Sequence, residues 1–98
     1  MDKINITFIG CGNMGSSLIG GLIRNDYPAS LIIGSDIDKQ KLELATEQFG
    51  IETCNSNKLA VKDADVVVLA VKPQLMKKTL QELQPQIAGL KPLHIEYN

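Results

Sequence analysis

The stretch that decides the fold is residues 4–22, I-N-I-T-F-I-G-C-G-N-M-G-S-S-L-I-G-G-L. A short β-prone run holding Ile4, Ile6, Phe8 and Ile9 leads into Gly10, Gly12 and Gly15, spaced G-x-G-x-x-G, and an amphipathic segment follows. That order reads as strand, tight loop and helix. Each glycine has its own task. Gly10 permits the turn off the strand, Gly12 leaves the backbone bare for a pyrophosphate, and Gly15 lets the helix pack closely on the sheet. Phosphate charge would meet the unpaired N–H groups of the first helical turn, at the positive end of the helix dipole.

Glycine-rich turns occur in many loops, so context decides. Asp36 follows Gly15 at roughly the 20-residue spacing at which a dinucleotide site places its ribose-binding acid. A dinucleotide site is therefore the leading reading, with a ligand-free structural turn or an S-adenosylmethionine site as the alternatives.

Working outward, Met14, Leu18, Ile19, Leu22 and Ile23 share one helical face, while Ser16, Ser17, Gly20 and Gly21 keep another side thin. Pro28, in a turn-forming segment, stops this helix near Arg24 or Asn25. Leu31, Ile32 and Ile33 form a second strand, apolar throughout as befits one covered on both faces. A second helix runs from Asp38 to Phe49 on Leu42, Ala45 and Phe49, with Gly50 as its stop. A brief strand around Ile51 to Thr53 leads to a polar loop and a short helical turn through Leu59 and Val61, which Asp65 ends. Residues 66–71, V-V-V-L-A-V, are the most β-branched run and form a central buried parallel strand. Pro73 opens the next helix, striped with Leu75, Met76, Leu80, Leu83 and Ile87, and Pro85 is expected to break or kink it. Residues 93–97 supply a last strand.

Strands and helices alternating in this way predict right-handed crossovers and an α/β, Rossmann-type doubly wound parallel sheet in a single domain. Ligands bind such sheets beyond the strand C-termini, where strand order reverses. The loops after the first and fourth strands, residues 10–15 and 72–74, should therefore face one crevice.

Ninety-eight residues hold one domain, and 44% hydrophobic and 21% charged residues with a net charge of -1 describe an ordinary globular chain. Basic residues do not cluster, which argues against nucleic acid. No apolar stretch reaches the roughly 18 residues of a membrane span, and the N-terminus lacks a basic region before an apolar core, so the expectation is a cytoplasmic protein with no membrane partner. Cys11 and Cys54 belong to no C-x-x-C pattern and read as reduced thiols, with the backbone of Cys11, more than its sulfur, facing the ligand. His94 has no partners at ligand spacing, so no metal is expected.

Two segments together, residues 8–22 and the A-D-V-V-V-L-A-V-K-P-Q of residues 64–74, resemble pyrroline-5-carboxylate reductase. The glycine loop with Asn13-Met14 is shared with hydroxyacid dehydrogenases, whereas A-V-K-P-Q is more specific. The resemblance implies reduction of 1-pyrroline-5-carboxylate to L-proline with NADP or NAD. It places the cofactor's diphosphate on Ile9, Gly10, Cys11, Gly12, Asn13 and Met14, beside Gly15, and its nicotinamide near Ala70, Val71, Lys72 and Pro73. Asn57 matches an asparagine that touches the adenosine. Read without the resemblance, Lys72 is a solvated charge, Pro73 a helix opener and Asn57 a helix cap.

Family members also carry a helical domain that forms the dimer and supplies the substrate pocket. The stretch here reads Leu93-His94-Ile95-Glu96-Tyr97-Asn98, where the family continues into a Ser-x-x-Ala-Gly pattern. The expectation is thus the cofactor half alone, with no catalytic residue of its own, homo-oligomerisation and substrate binding belonging to the other half. A hydroxyacid dehydrogenase fragment and a non-catalytic nucleotide-binding module are the alternatives. Cofactor choice is open. Asp36 at the tip of the second strand favours a ribose hydroxyl and so NAD, whereas Ser35 and Lys39 could grip the extra phosphate of NADP if Asp36 turns outward; Asp36 or Asp38 could equally cap the following helix.

Overall fold

The structure, a computed structural model, describes residues 4–88 and the backbone of 93–94. The elements run β1 (Ile6–Ile9), α1 (Asn13–Arg24), a 3-10 turn (Ala29–Leu31), β2 (Ile32–Ser35), α2 (Lys39–Phe49), β3 (Glu52–Cys54), α3 (Asn57–Ala60), β4 (Val66–Leu69), α4 (Pro73–Ile87) and β5 (Leu93–His94). The strands form one parallel sheet in the order β3-β2-β1-β4-β5. Chain order reverses between β1 and β4, where Ile6 to Ile9 pair in register with Val66 to Leu69. This is the doubly wound sheet expected.

Alternation along the strands feeds a core on each face of the sheet. Phe8, Ile32 and Val68 point to one side and pack with Ile19 of α1, Ala45 of α2 and Ile51. Ile9, Val67 and Leu69 point to the other and pack with Val61 and with Leu83 and Ile87 of α4. Thr7 is one of the buried polar residues, and its hydroxyl donates to the Ala60 carbonyl at 2.7 Å. Asp65 clamps the base of the sheet, accepting from the Asn5 N–H at 2.9 Å while its own N–H donates to the Asn5 carbonyl at 2.8 Å.

Several boundaries differ from the sequence reading, β3 for one running from Glu52 to Cys54. β2 begins at Ile32 and reaches Ser35, because Leu31 closes a 3-10 turn. Gly34 lies inside that strand; a Cβ there would sit 2.8 Å from the Cys11 sulfur and 3.2 Å from Ile51. β4 ends at Leu69, leaving Ala70 and Val71 in the crevice loop. Finally, α4 passes through Pro85 and continues to Ile87, so the proline interrupts one ladder bond without ending the helix. Pro85 is exposed, so a carbonyl it leaves unpaired faces solvent. The last expected strand is present at residues 93–94, and residues 95–97 lie outside the described chain.

Candidate functional site

The site is built where β1 and β4 end side by side. Gly10 leaves β1 with φ 105°, and a Cβ on it would lie 2.3 Å from the Ala70 carbonyl oxygen and 3.3 Å from Val71 Cγ1. Its N–H donates to the Ser35 carbonyl at 2.8 Å, and the Ala70 N–H donates to the Ile9 carbonyl at 2.9 Å, so three strand ends are stitched together. Gly15 is equally constrained from inside. A Cβ there would lie 2.0 Å from the Gly10 carbonyl oxygen. Both glycines are thus required by the packing of loop, helix and strand.

Gly12 is different. Its φ of -77° and ψ of -159° suit any residue, and among the described residues a Cβ on it would meet only Lys41 Nζ, at 3.8 Å. Gly12 is the N-cap of α1, with no side-chain cap, and Ser16 is the first residue to close a helical bond onto it, at 2.8 Å. The amides ahead of Ser16 have no intrahelical acceptor and point out of the helix end. Asn13 is exposed and Met14 half-buried beside them.

At the tip of β2, Asp36 is tied to this loop. One carboxylate oxygen accepts from the Cys11 N–H at 2.9 Å, the other from the Asp38 N–H at 2.9 Å. Asp38 caps α2, accepting from the Gln40 N–H at 2.9 Å. Two bonds leave a carboxylate with further lone-pair positions for a sugar hydroxyl. Cys11 turns its sulfur inward, toward the Ser35 carbonyl at 3.7 Å. Burial, reinforced by the charge of Asp36 and opposed by that of Lys41, pushes its thiol up to about 11. It is a packed neutral thiol whose backbone carries the loop, and Cys54 is also unpaired.

Ser35 does not reach the crevice. It is fully buried, and its hydroxyl donates to Asn57 Oδ1 at 2.6 Å, so its role here is to hold Asn57. Nor does Asn57 cap α3, since Ser56 does so by accepting from the Leu59 N–H. The Asn57 amide, half-buried, is left with its NH2 group for other partners. Across the crevice Ala70 is buried and Val71 half-buried, while Lys72 caps α4 and Pro73 opens it, both exposed at the rim. Lys39 lines a groove with Glu43, Thr46 and Thr53. Lys41, which the sequence did not single out, is the lysine near the loop. Its one signal was a place in the first turn of α2, where side chains lean back toward the helix start.

Among the described residues no three His, Cys, Asp or Glu side chains gather as a metal site. No described helix is long and apolar enough to cross a membrane.

Known proteins resemble the chain as follows. The family model described as NADP oxidoreductase, coenzyme F420-dependent, matches residues 5–91. Pyrroline-5-carboxylate reductase of Pseudomonas aeruginosa is 48% identical over 92 residues, covering 94% of this chain and 33% of that protein. The Vibrio alginolyticus pyrroline-5-carboxylate reductase is 40% identical over 84 residues, covering 86% of this chain and 31% of that one. A solved pyrroline-5-carboxylate reductase from Coxiella burnetii superposes with a TM-score of 0.89 at 36% identity, covering 96% of this chain and 36% of its own. The chain thus spans about a third of the length of the curated relatives it matches. The family model covers nearly the whole chain and the fold agrees with the solved relative, so this protein belongs to the family of NADP oxidoreductases, coenzyme F420-dependent, and within it is similar to pyrroline-5-carboxylate reductases.

Proposed function

We propose that this chain is the cofactor-holding part of a pyrroline-5-carboxylate reductase, seating NADPH or NADH for reduction of 1-pyrroline-5-carboxylate to L-proline. One observation carries the reading. Gly10 and Gly15 are glycine because the fold excludes a side chain, but among the described residues nothing excludes one at Gly12, where the neighbour within 4 Å is Lys41 Nζ at 3.8 Å. A bare backbone there answers to a ligand that lies against it, and a diphosphate beside free helical amides is that ligand.

The bound dinucleotide would supply the hydride for the substrate's C=N bond. The protein's contribution is position and charge. The amides of residues 13–15 and the Gly12 backbone hold the diphosphate, and Asp36 and Asn57 hold the adenosine end. Ala70, Val71, Lys72 and Pro73 form the wall against which the nicotinamide end is set. No described side chain is placed to deliver a proton to the imine nitrogen. Substrate binding, proton delivery and homo-oligomerisation are assigned to the part of such enzymes outside these 98 residues, and the location to the cytoplasm.

Calorimetric titration with NADPH and NADH, followed by an assay with 1-pyrroline-5-carboxylate, tests both parts. Cofactor binding without turnover is expected. Failure to bind either cofactor would overturn the site, and robust turnover by this chain would overturn the division of labour.

A further inference from the structure

We propose that Lys41 is a ligand for a phosphate group of the dinucleotide, its ammonium seated over the bare backbone of Gly12. This rests on the cofactor reading above and adds a residue to it. The amine stands 3.8 Å from the point a Gly12 Cβ would occupy, the point that a phosphate needs clear. The capping of α2 by Asp38 fixes where that helix starts, and Lys41 is its third residue. Side chains in a first turn lean back toward the helix start, which here carries the ammonium onto the glycine loop. A second sign of its position is electrostatic, since the charge of Lys41 acts on the Cys11 thiol in the loop, against that of Asp36.

The arrangement answers a problem of charge. Asp36 puts a carboxylate at the same end of the sheet, hydrogen-bonded to the Cys11 and Asp38 amides, and a carboxylate repels phosphate. Lys41 offsets that repulsion where the loop is barest. Lys39 does not substitute for it, because residues two apart on a helix do not share a face, and Lys39 lines the groove with Glu43 and Thr53. The phosphate is either the diphosphate, common to both cofactors, or the 2′-phosphate found only in NADPH.

Titrations at low ionic strength with NADPH and NADH separate the two, using wild type, Lys41→Gln and the exposed-charge control Lys62→Gln. Lys41→Gln is expected to weaken binding about tenfold while its circular dichroism matches wild type. Equal loss for both cofactors marks the diphosphate, and loss for NADPH alone marks the 2′-phosphate. Unchanged affinity for both, or an equal loss in Lys62→Gln, overturns the assignment. A wild type that binds neither cofactor overturns the site itself and Lys41 with it.

Discussion

The Cys11 backbone N–H donates to the Asp36 carboxylate across 2.9 Å, joining the glycine loop after β1 to the tip of β2. The acid proposed to meet a ribose is therefore also a support of the loop proposed to meet the diphosphate. Its second oxygen accepts from the Asp38 N–H, so it does not swing outward freely.

Replacing Asp36 should consequently have two effects. Asp36→Ser removes the charge that disfavours a 2′-phosphate, so affinity for NADPH relative to NADH should rise, by about threefold to tenfold. It also deprives the Cys11 amide of its acceptor, at a cost of about 1 kcal/mol, and the melting temperature should fall. Parallel titrations with both cofactors check the first effect, and an unchanged ratio would remove Asp36 from the site.

The glycines of the loop should separate by mechanism. Gly12→Val should weaken cofactor binding at least tenfold, about 1.4 kcal/mol, with circular dichroism and melting close to wild type. Gly15→Ala should instead destabilise the fold by about 1–3 kcal/mol, because its Cβ would sit 2.0 Å from the Gly10 carbonyl oxygen. Thermal melts beside titrations distinguish the two, and a Gly12 variant that binds normally would make the loop purely structural.

Ser35 and Asn57 should behave as one unit, since the Ser35 hydroxyl holds Asn57 Oδ1 at 2.6 Å. Ser35→Ala and Asn57→Ala should each weaken cofactor binding, and the double variant should be little worse than either. Strictly additive losses would show that the pair does not act through this bond.

The Cys11 thiol lies at about 11 in the folded protein against an ordinary 9.0. Because the fold favours its neutral form, the stability tied to it is fully present below pH 9.0 and is lost as pH rises toward 11. Thermal melts across that window should fall more steeply in wild type than in Cys11→Ala. At about pH 8, where only thiolates react readily, mass spectrometry should find Cys54 alkylated well before Cys11. Equal rates would mean that the loop opens.

Much of this protein is dictated locally. The apolar run before Gly10, the valines of β4, Pro73 at a helix start and Gly50 at a helix end each act through sterics or periodicity, and those act between near neighbours in the chain. The order of strands and helices, and with it the crevice between residues 10–15 and 72–74, was legible on that basis. What the tertiary structure decided concerns direction and company. Gly34 sits inside β2 because the Cys11 sulfur, distant in sequence, fills the space its side chain would need. Ser35 points inward because β2 begins at Ile32, and a strand's alternation depends on its register against β1. Lys41 comes beside Gly12 because Leu42 and Ala45 of α2 are buried and so fix the rotation of that helix. Three glycines look alike in the motif. Only when α1, β4 and α2 are packed around them does Gly12 emerge as the one with room for a ligand, since that room belongs to neighbours far away in the chain.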